Sequence, residues 1–296
     1  MHAACSSFEA GQGQPESAKM RSMPRNGIPG TRTRMEKYAT LRVQERPEAV
    51  LLVTLDRPEV ANAFNTGAAL ELCELFERFR GEQRYRCVVI TGAGDKAFCA
   101  GADLKERNSL SDEQWRSQHE VFERMFRAVR DCPIPVIAAV NGAAYAGGLE
   151  LVLHCDFSYA SRNATFALTE ASLGIMPGGG GTQTLPRVIG ERRAKELILA
   201  ARPFSSEEAH AWGLVNKLCE SGKLVQEALG AAERIASLAP LAVRQAKRAI
   251  RQGLHMDLAS AMELEIEAYN SLVGTEDRRE GLRAFSEKRK PKFKGR

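Results

Sequence analysis

The sequence lacks the cysteine, histidine and hydrophobic patterns of disulfide-rich, zinc-binding and membrane-spanning proteins. Its seven cysteines are odd in number and widely spaced, and no C-x-x-C pair occurs among the 296 residues. This pattern is typical of small core residues in a reducing compartment. The five histidines form no recognisable ligand motif, so no metal site is predicted. No apolar run reaches the roughly 18 residues of a membrane span, so we expect no membrane partner.

The basic charge of the chain is concentrated at its two ends. The first 34 residues carry a net charge of +3 and the last 14 carry +6, which leaves about −4 for the body of a chain with a net charge of +5. A basic balance that comes from the ends is a weak indication of nucleic-acid binding. The C-terminal run Lys288-Arg289-Lys290 is either a solvated tail or a phosphate contact.

Residues 1–34 are rich in Gly, Ser, Pro and Arg and show no periodicity, so we predict a disordered N-terminal extension. We interpret it as an extension before a start at Met35 or as a dispensable tail, and expect a cytoplasmic protein. Its Arg and Ser content and few acids also suit a transit peptide, which would place the protein in the mitochondrial matrix.

From Tyr38 onwards, predicted strands alternate with predicted helices, which indicates an α/β core over residues 35–235. Asn65 is suited to cap one helix, and residues 111–129 form another. The predicted strands are Val50–Leu55 and residues 87–91, 135–140, 157–160 and 164–167.

Residues 236–296 are predicted to be a helical C-terminal region without companion strands. Pro240 suits a helix start. A second helix carries an apolar stripe that must be buried against the core or against another subunit. The stripe consists of Leu258, Met262, Ile266, Tyr269 and Val273.

Two glycine-rich segments are similar to nucleotide-binding motifs, but neither has all the features of such a motif. Residues 92–97 match G-x-G-x-x-A but do not open a helix, so we interpret them as a turn after a strand. The run Gly178–Gly181 lacks the lysine of a phosphate-binding P-loop.

Two other small-residue segments predict an oxyanion site. A buried strand ends before Asn141, a small-residue turn follows, and a helix begins near Gly147. The free N–H of Gly147 and that of Ala102 could together hold a developing negative charge. Glu150 lies one turn along this helix and precedes apolar residues, so we expect it to be buried. Glu170, taken alone, fits an exposed turn as well as a functional role.

These segments together resemble the crotonase superfamily, the enoyl-CoA hydratase/isomerase family, over residues 36–296. Several of its motifs occur in order, at residues 97–105, 141–150, 155–156, 177–183 and 280–289. Within that family, residues 98–107, 177–190 and 280–290 look closest to 3-methylglutaconyl-CoA hydratases.

The resemblance implies a spiral of ββα units with C-terminal helices for trimerisation, in a homo-trimer or a hexamer of two trimers. It implies that the N–H groups of Ala102 and Gly147 bind the thioester oxygen and that Glu150 and Glu170 are the two acids of a hydratase. Coenzyme A, as part of the substrate and not a cofactor, would contact a further set of matched residues. That set is Ala100, Ala102, Asp103, Leu104, Lys105, Gly147, Phe285 and Lys288.

The expected reaction is the addition of water to a 2-enoyl-CoA, with Glu150 activating the water and Glu170 delivering a proton to the α-carbon. An isomerase, which needs one acid, a methylglutaconyl-type hydratase and a C–C lyase are the alternatives within the family. RNA binding through Arg78, Arg80, Arg84 and Arg86 is an alternative of another class, and we favour a solvated helix and turn there. The sequence departs from the family pattern at two positions: Ala146 replaces the first of three glycines, and Thr169 replaces a common proline. The resemblance therefore does not specify the acyl pocket.

Overall fold

A computed structural model describes residues 38–296 and shows two β-sheets surrounded by helices. The prediction of disorder for residues 1–34 falls outside the described residues. The α/β class predicted from the alternation of strands and helices is confirmed. In the described part of the chain, no helix is long and apolar enough to cross a bilayer.

The larger sheet has six strands in the order β1-β2-β3-β5-β7-β10. Strands β1 and β2 are antiparallel, and every other neighbouring pair is parallel. Its strands are β1 (Leu41–Arg46), β2 (Val50–Leu55), β3 (Cys87–Gly92), β5 (Val136–Val140), β7 (Phe157–Ser161) and β10 (Lys217–Cys219). Strands β2, β3 and β5 are buried throughout, as their continuous apolar runs predict.

The smaller sheet has four short strands in the order β4-β6-β8-β9, with only the last pair antiparallel. They are β4 (Ala97–Cys99), β6 (Ala143–Tyr145), β8 (Thr165–Ala167) and β9 (Phe204–Ser205). The sequence predicts only a small-residue turn at residues 143–145. That prediction is wrong, because sheet pairing with β4 and β8 overrides the weak strand preference of alanine.

The chain passes three times from a strand of the large sheet to a strand of the small sheet, in the pairs β3-β4, β5-β6 and β7-β8. Helical segments follow each pair, which is the ββα repeat that the resemblance implies. The helices of this part are α1 (Thr66–Arg78), α2 (Leu104–Arg107), α3 (Asp112–Arg130), α4 (Gly147–His154), α5 (Gly181–Ile189), α6 (Glu191–Leu199), α7 (Ser206–Ala211) and α8 (Leu224–Ala236). Asn65 caps α1 and Ser111 caps α3, as expected.

The larger sheet is covered on both faces. Alternate side chains of β2, β3 and β5 pack with α8, and those between them face the main core, which also contains the aromatic residues around α1 and α3. This burial fixes the carboxyl ends of β3 and β5, where the chain crosses to the small sheet.

The C-terminal region consists of α9 (Pro240–Gly253), α10 (Leu258–Val273) and α11 (Glu276–Ser286). Helix α9 docks on the core through basic side chains: Arg244 and Lys247 donate to the carbonyls of Glu82 and Ile134, and Arg251 pairs with Asp131. The predicted apolar stripe of α10 stays exposed, from 44% at Val273 to 76% at Leu258. The core therefore does not bury this stripe, which excludes one of the two alternatives that the sequence leaves open.

Candidate active site

Glu150 is buried one turn into α4, and its carboxylate is held by main-chain donors. The side chain is 3% exposed, and Oε1 accepts 2.8 Å hydrogen bonds from the N–H groups of Gly179 and Gly181. Burial raises the pKa of Glu150, and these two bonds oppose the rise because they favour the charged form. Main-chain donors thus align the carboxyl group of Glu150, which has no cationic partner among the described residues.

The glycine run before α5 is a cradle for this carboxylate. A Cβ on Gly179 would lie 2.6 Å from Glu150 Oε2 and 2.2 Å from the Phe126 ring, and one on Gly181 would lie 3.0 Å from Glu150 Oε1. Only glycine lets the backbone come this close. The sequence excludes a P-loop here and gives no reason to connect the run with Glu150, which lies 29 residues before Gly179.

His154, at the end of α4, contacts the backbone of the same glycine run. Its Nε2 lies 2.6 Å from the carbonyl oxygen of Gly179, which can only accept, so Nε2 carries the proton. Burial lowers the pKa of His154, which keeps the imidazole neutral. The sequence offers no motif that would single out this residue.

The N–H groups of Ala102 and Gly147 lie on adjoining backbone segments. Gly101 has a φ of +94°, and a Cβ there would lie 3.1 Å from the nitrogen of Gly147. Phe64 pairs with Gly101 and Asp103, which turns the N–H of Ala102 to the opposite side. Gly147 is the first residue of α4, so its N–H has no acceptor within the helix. Among the described residues, neither N–H has a hydrogen-bond acceptor.

Glu170 opens a single 3-10 turn, Glu170–Leu173, and is buried, not exposed in a turn. Its side chain is 7% exposed, and Oε2 has no hydrogen-bond partner among the described residues. Burial raises the pKa of Glu170 to about 7, with the charge of Glu150 adding to the rise. A carboxyl group in this setting retains a proton near neutral pH.

A cavity of about 650 Å³ brings these groups together. Ala102, Gly147, Glu150 and Glu170 all contribute to its lining. Aromatic and aliphatic side chains form most of the remaining wall, among them Phe64, Trp115, Phe122, Phe126, Leu173, Ile175 and Met176. The site therefore combines an apolar chamber with a pair of free N–H donors and two carboxyl groups, which is an arrangement suited to acyl chemistry.

The residues expected to contact coenzyme A fall into two groups. Ala100, Ala102, Leu104 and Gly147 line the cavity, whereas Asp103, Lys105, Phe285 and Lys288 do not. Asp103 caps α2 and forms a 2.9 Å ion pair with Arg57. Phe285 lies near the end of α11 and is 86% exposed, and Lys288 follows that helix. No group of three metal-type ligands occurs within residues 38–296.

Two arginines of the suggested RNA-binding region have partners inside the fold. Arg84 pairs with Glu45, and Arg86 donates to the carbonyl oxygens of Ala236 and Phe293. These two side chains anchor neighbouring segments of the fold.

The model of the enoyl-CoA hydratase/isomerase family matches residues 45–296. A crotonyl-CoA hydratase of Syntrophomonas wolfei is 39% identical, over 85% of this chain and 96% of its own length. The methylglutaconyl-CoA hydratase of Mus musculus is 35% identical, over 92% of this chain and 88% of its own. A crystal structure of an enoyl-CoA hydratase from Bacillus anthracis has a TM-score of 0.85 and 44% identity, and covers 87% of this chain and all of its own.

These matches place the chain in a class of enzymes, those with the crotonase fold. The chain belongs to the enoyl-CoA hydratase/isomerase family. The resemblance seen in the sequence motifs is therefore confirmed, including the presence of methylglutaconyl-CoA hydratases among the relatives.

Proposed function

We propose that this protein is an enoyl-CoA hydratase that converts a 2-enoyl-CoA into a 3-hydroxyacyl-CoA. The observation that carries the proposal is the unequal environment of two buried carboxyl groups in one cavity. Glu150 receives two N–H bonds that favour its charged form, whereas Glu170 has an unpartnered oxygen and a pKa of about 7. One site thus supplies a base and an acid at the same pH.

In the proposed mechanism, the thioester oxygen accepts hydrogen bonds from the N–H groups of Ala102 and Gly147. These donors stabilise the negative charge that develops on this oxygen when water adds to the β-carbon. Losing one such donor typically raises a barrier by roughly 2.7–4 kcal/mol. Glu150 removes a proton from the attacking water, and Glu170 gives a proton to the α-carbon. Coenzyme A takes part as the carrier of the substrate.

Replacing each acid by its amide tests these roles. We expect Glu150→Gln and Glu170→Gln each to lower kcat for crotonyl-CoA by about 10²–10⁴-fold, because each loses a proton transfer. Glu120→Gln is the matched control, since Glu120 lines the same cavity but is exposed. Near-normal turnover in either variant would refute the role of that residue.

The same preparations distinguish a hydratase from an isomerase. An isomerase moves one proton within a 3-enoyl-CoA and needs a single acid. If a 3-enoyl-CoA is converted to its 2-enoyl isomer faster than crotonyl-CoA is hydrated, isomerisation is the main activity. Loss of activity in only one of the two amide variants would support the same conclusion.

We also propose that the protein acts as a homo-trimer or as a hexamer of two trimers. The support is the apolar surface that α9 and α10 leave exposed, with Ile250, Leu254 and Leu258 each more than 60% accessible. A soluble monomer rarely carries so continuous an apolar face, and copies of the same chain would cover it.

A further inference from the structure

The glycine run that supplies the donors to Glu150 needs anchors outside itself. Glycine loses more conformational freedom on folding than any other residue, so Gly178–Gly181 has little intrinsic order. The carbonyl oxygen of Gly180 accepts from N–H groups in the first turn of α5, which fixes the second half of the run. The first half contains the donor N–H of Gly179 and needs a contact of its own.

His154 supplies that contact from the same helix as Glu150. The two side chains lie four residues apart on α4, and therefore on one face of it. Glu150 accepts from the N–H of Gly179 at 2.8 Å, and His154 Nε2 donates to the carbonyl oxygen of Gly179 at 2.6 Å. A Cβ on Gly180 would lie 3.1 Å from His154 Nε2, so the ring also packs against the run. Both polar main-chain groups of Gly179 are thus held by α4.

The imidazole has a cost at this position that an apolar side chain would avoid. Nδ1 is buried and has no hydrogen-bond partner among the described residues. The ring packs with Phe126, with 5.4 Å between the ring centres, and an apolar side chain could fill this space without burying a nitrogen. The bond to Gly179 is the one polar contact of His154 within residues 38–296. This bond, and not the packing, therefore accounts for the residue type.

We propose that His154 is a positioning residue for the base Glu150: its N–H fixes Gly179, so that the two main-chain donors stay aimed at the carboxylate. The inference rests on the proposed hydratase function and adds to it a residue that does not line the cavity. Burial raises the pKa of Glu150, and the two donors oppose that rise. When the run loses its anchor, this opposition weakens and Glu150 takes up a proton at a higher pH.

His154 acts in this role as a donor and not as a charge. Burial is the main cause that lowers the pKa of His154; of the charged groups beside it, Arg130 lowers that pKa further and Asp131 raises it. These two residues lie at the end of α3 and pair with each other at 3.0 Å. The titratable group that faces Glu150 is Glu170, whose pKa the charge of Glu150 raises. A change at His154 removes no charge, so it acts on Glu150 through the glycine donors.

The pH profile of hydration tests this role. The variant His154→Met keeps a side chain of similar size and removes the donor. We expect the acid limb of kcat/KM for crotonyl-CoA to move up by about one pH unit, because a hydrogen bond to a charged group is worth roughly that shift. On that limb, kcat/KM should fall about tenfold. KM should hardly change, since His154 lies outside the cavity.

A rescue variant and a matched control separate positioning from a structural effect. His154→Gln carries an amide N–H that can reach the same carbonyl, so it should keep the wild-type acid limb. His210→Met is the control, since His210 Nδ1 lies 2.8 Å from the carbonyl oxygen of Val215 and the residue does not line the cavity. With urea midpoints as the check of folding, an unshifted acid limb in His154→Met would overturn the proposal. An equal shift in His154→Gln would overturn it too.

Nitrogen NMR of the wild-type enzyme, labelled at its five histidines, tests the donor without relying on a variant's activity. The signal of His154 is the one that is missing from His154→Gln. We expect a neutral ring with its proton on Nε2. A proton on Nδ1 would refute the positioning role, because Nε2 could then only accept. Failure of the wild-type enzyme to hydrate crotonyl-CoA would instead refute the hydratase function, whatever the position of this proton.

Discussion

Glu150 and Glu170 show how two identical side chains acquire different chemistry from their surroundings. Two main-chain donors stabilise the charge on Glu150, whereas Glu170 Oε2 is buried without a donor. Two nearby carboxyl groups in an apolar cavity do not both ionise easily, so the pair holds one proton near neutral pH. The donors favour the charged form of Glu150, so the proposed mechanism assigns the proton to Glu170.

This pairing predicts the pH dependence of the reaction. The pKa of Glu170 is raised to about 7, so the proton that it delivers is lost as the pH rises through that value. We expect kcat/KM for hydration to fall above about pH 7. Hydration takes up no net proton, so the reverse dehydration must show the same fall.

The measurement is kcat/KM for crotonyl-CoA and for 3-hydroxybutyryl-CoA between about pH 6 and pH 9, with the folded state checked at each pH. A flat profile over this range would contradict the proposed role of Glu170.

At the scale of elements, the start of α4 determines where the donors lie. A Cβ on Gly148 would lie 2.0 Å from the carbonyl oxygen of Cys99, so α4 packs directly against β4. Ala146 precedes the helix with φ 49° and ψ −125°, a region that only glycine adopts without strain. The alanine at this position thus stores strain next to the N–H of Gly147.

We predict that the variant Ala146→Gly relieves this strain at the start of α4. We expect Ala146→Gly to stabilise the fold by about 1 kcal/mol, because the strain removed exceeds the entropy that glycine adds to the unfolded chain. The measurement is the midpoint of urea unfolding at fixed protein concentration. Ala143→Gly in β6 is the control and should destabilise, since Ala143 is not among the residues with positive φ. A lowered midpoint for Ala146→Gly would contradict the strain.

At the scale of the whole molecule, the C-terminal helices have opposite relations to the core. Basic side chains attach α9 to the core, as Lys247 does with Asp156 at 2.6 Å. Helix α10 packs on α9 and buries little beyond Ala268. The pair therefore presents an apolar surface, at which the proposed oligomer would form its interface.

Charges placed on that surface test the oligomer. We expect Met262→Glu together with Ile266→Glu to reduce the mass measured by light scattering to that of one chain, because burying two unpaired carboxylates in an interface is costly. Leu70→Glu is the control, since Leu70 is an exposed apolar residue of α1. A double variant that keeps the wild-type mass would show that this surface is not the interface.

The sequence predicted the order of the main elements because their signals are local. Buried strands such as β2 and β3 are continuous β-branched and aliphatic runs, and the caps Asn65 and Ser111 lie directly before their helices. The start of α4 at Gly147 follows from a glycine-rich turn after a buried strand. The strand β6 was missed because its alanines acquire strand geometry only from their neighbours in the sheet.

By itself, the sequence determined the α/β class, the family motifs and the candidate donors and acids, because each depends on a short run of neighbouring residues. Only the tertiary structure decided what surrounds them. It joined Glu150 to glycines about 30 residues away and buried Glu170. The environment of a carboxyl or guanidinium group depends on distant chain segments that meet only on folding, and burial and donor geometry then set its charge.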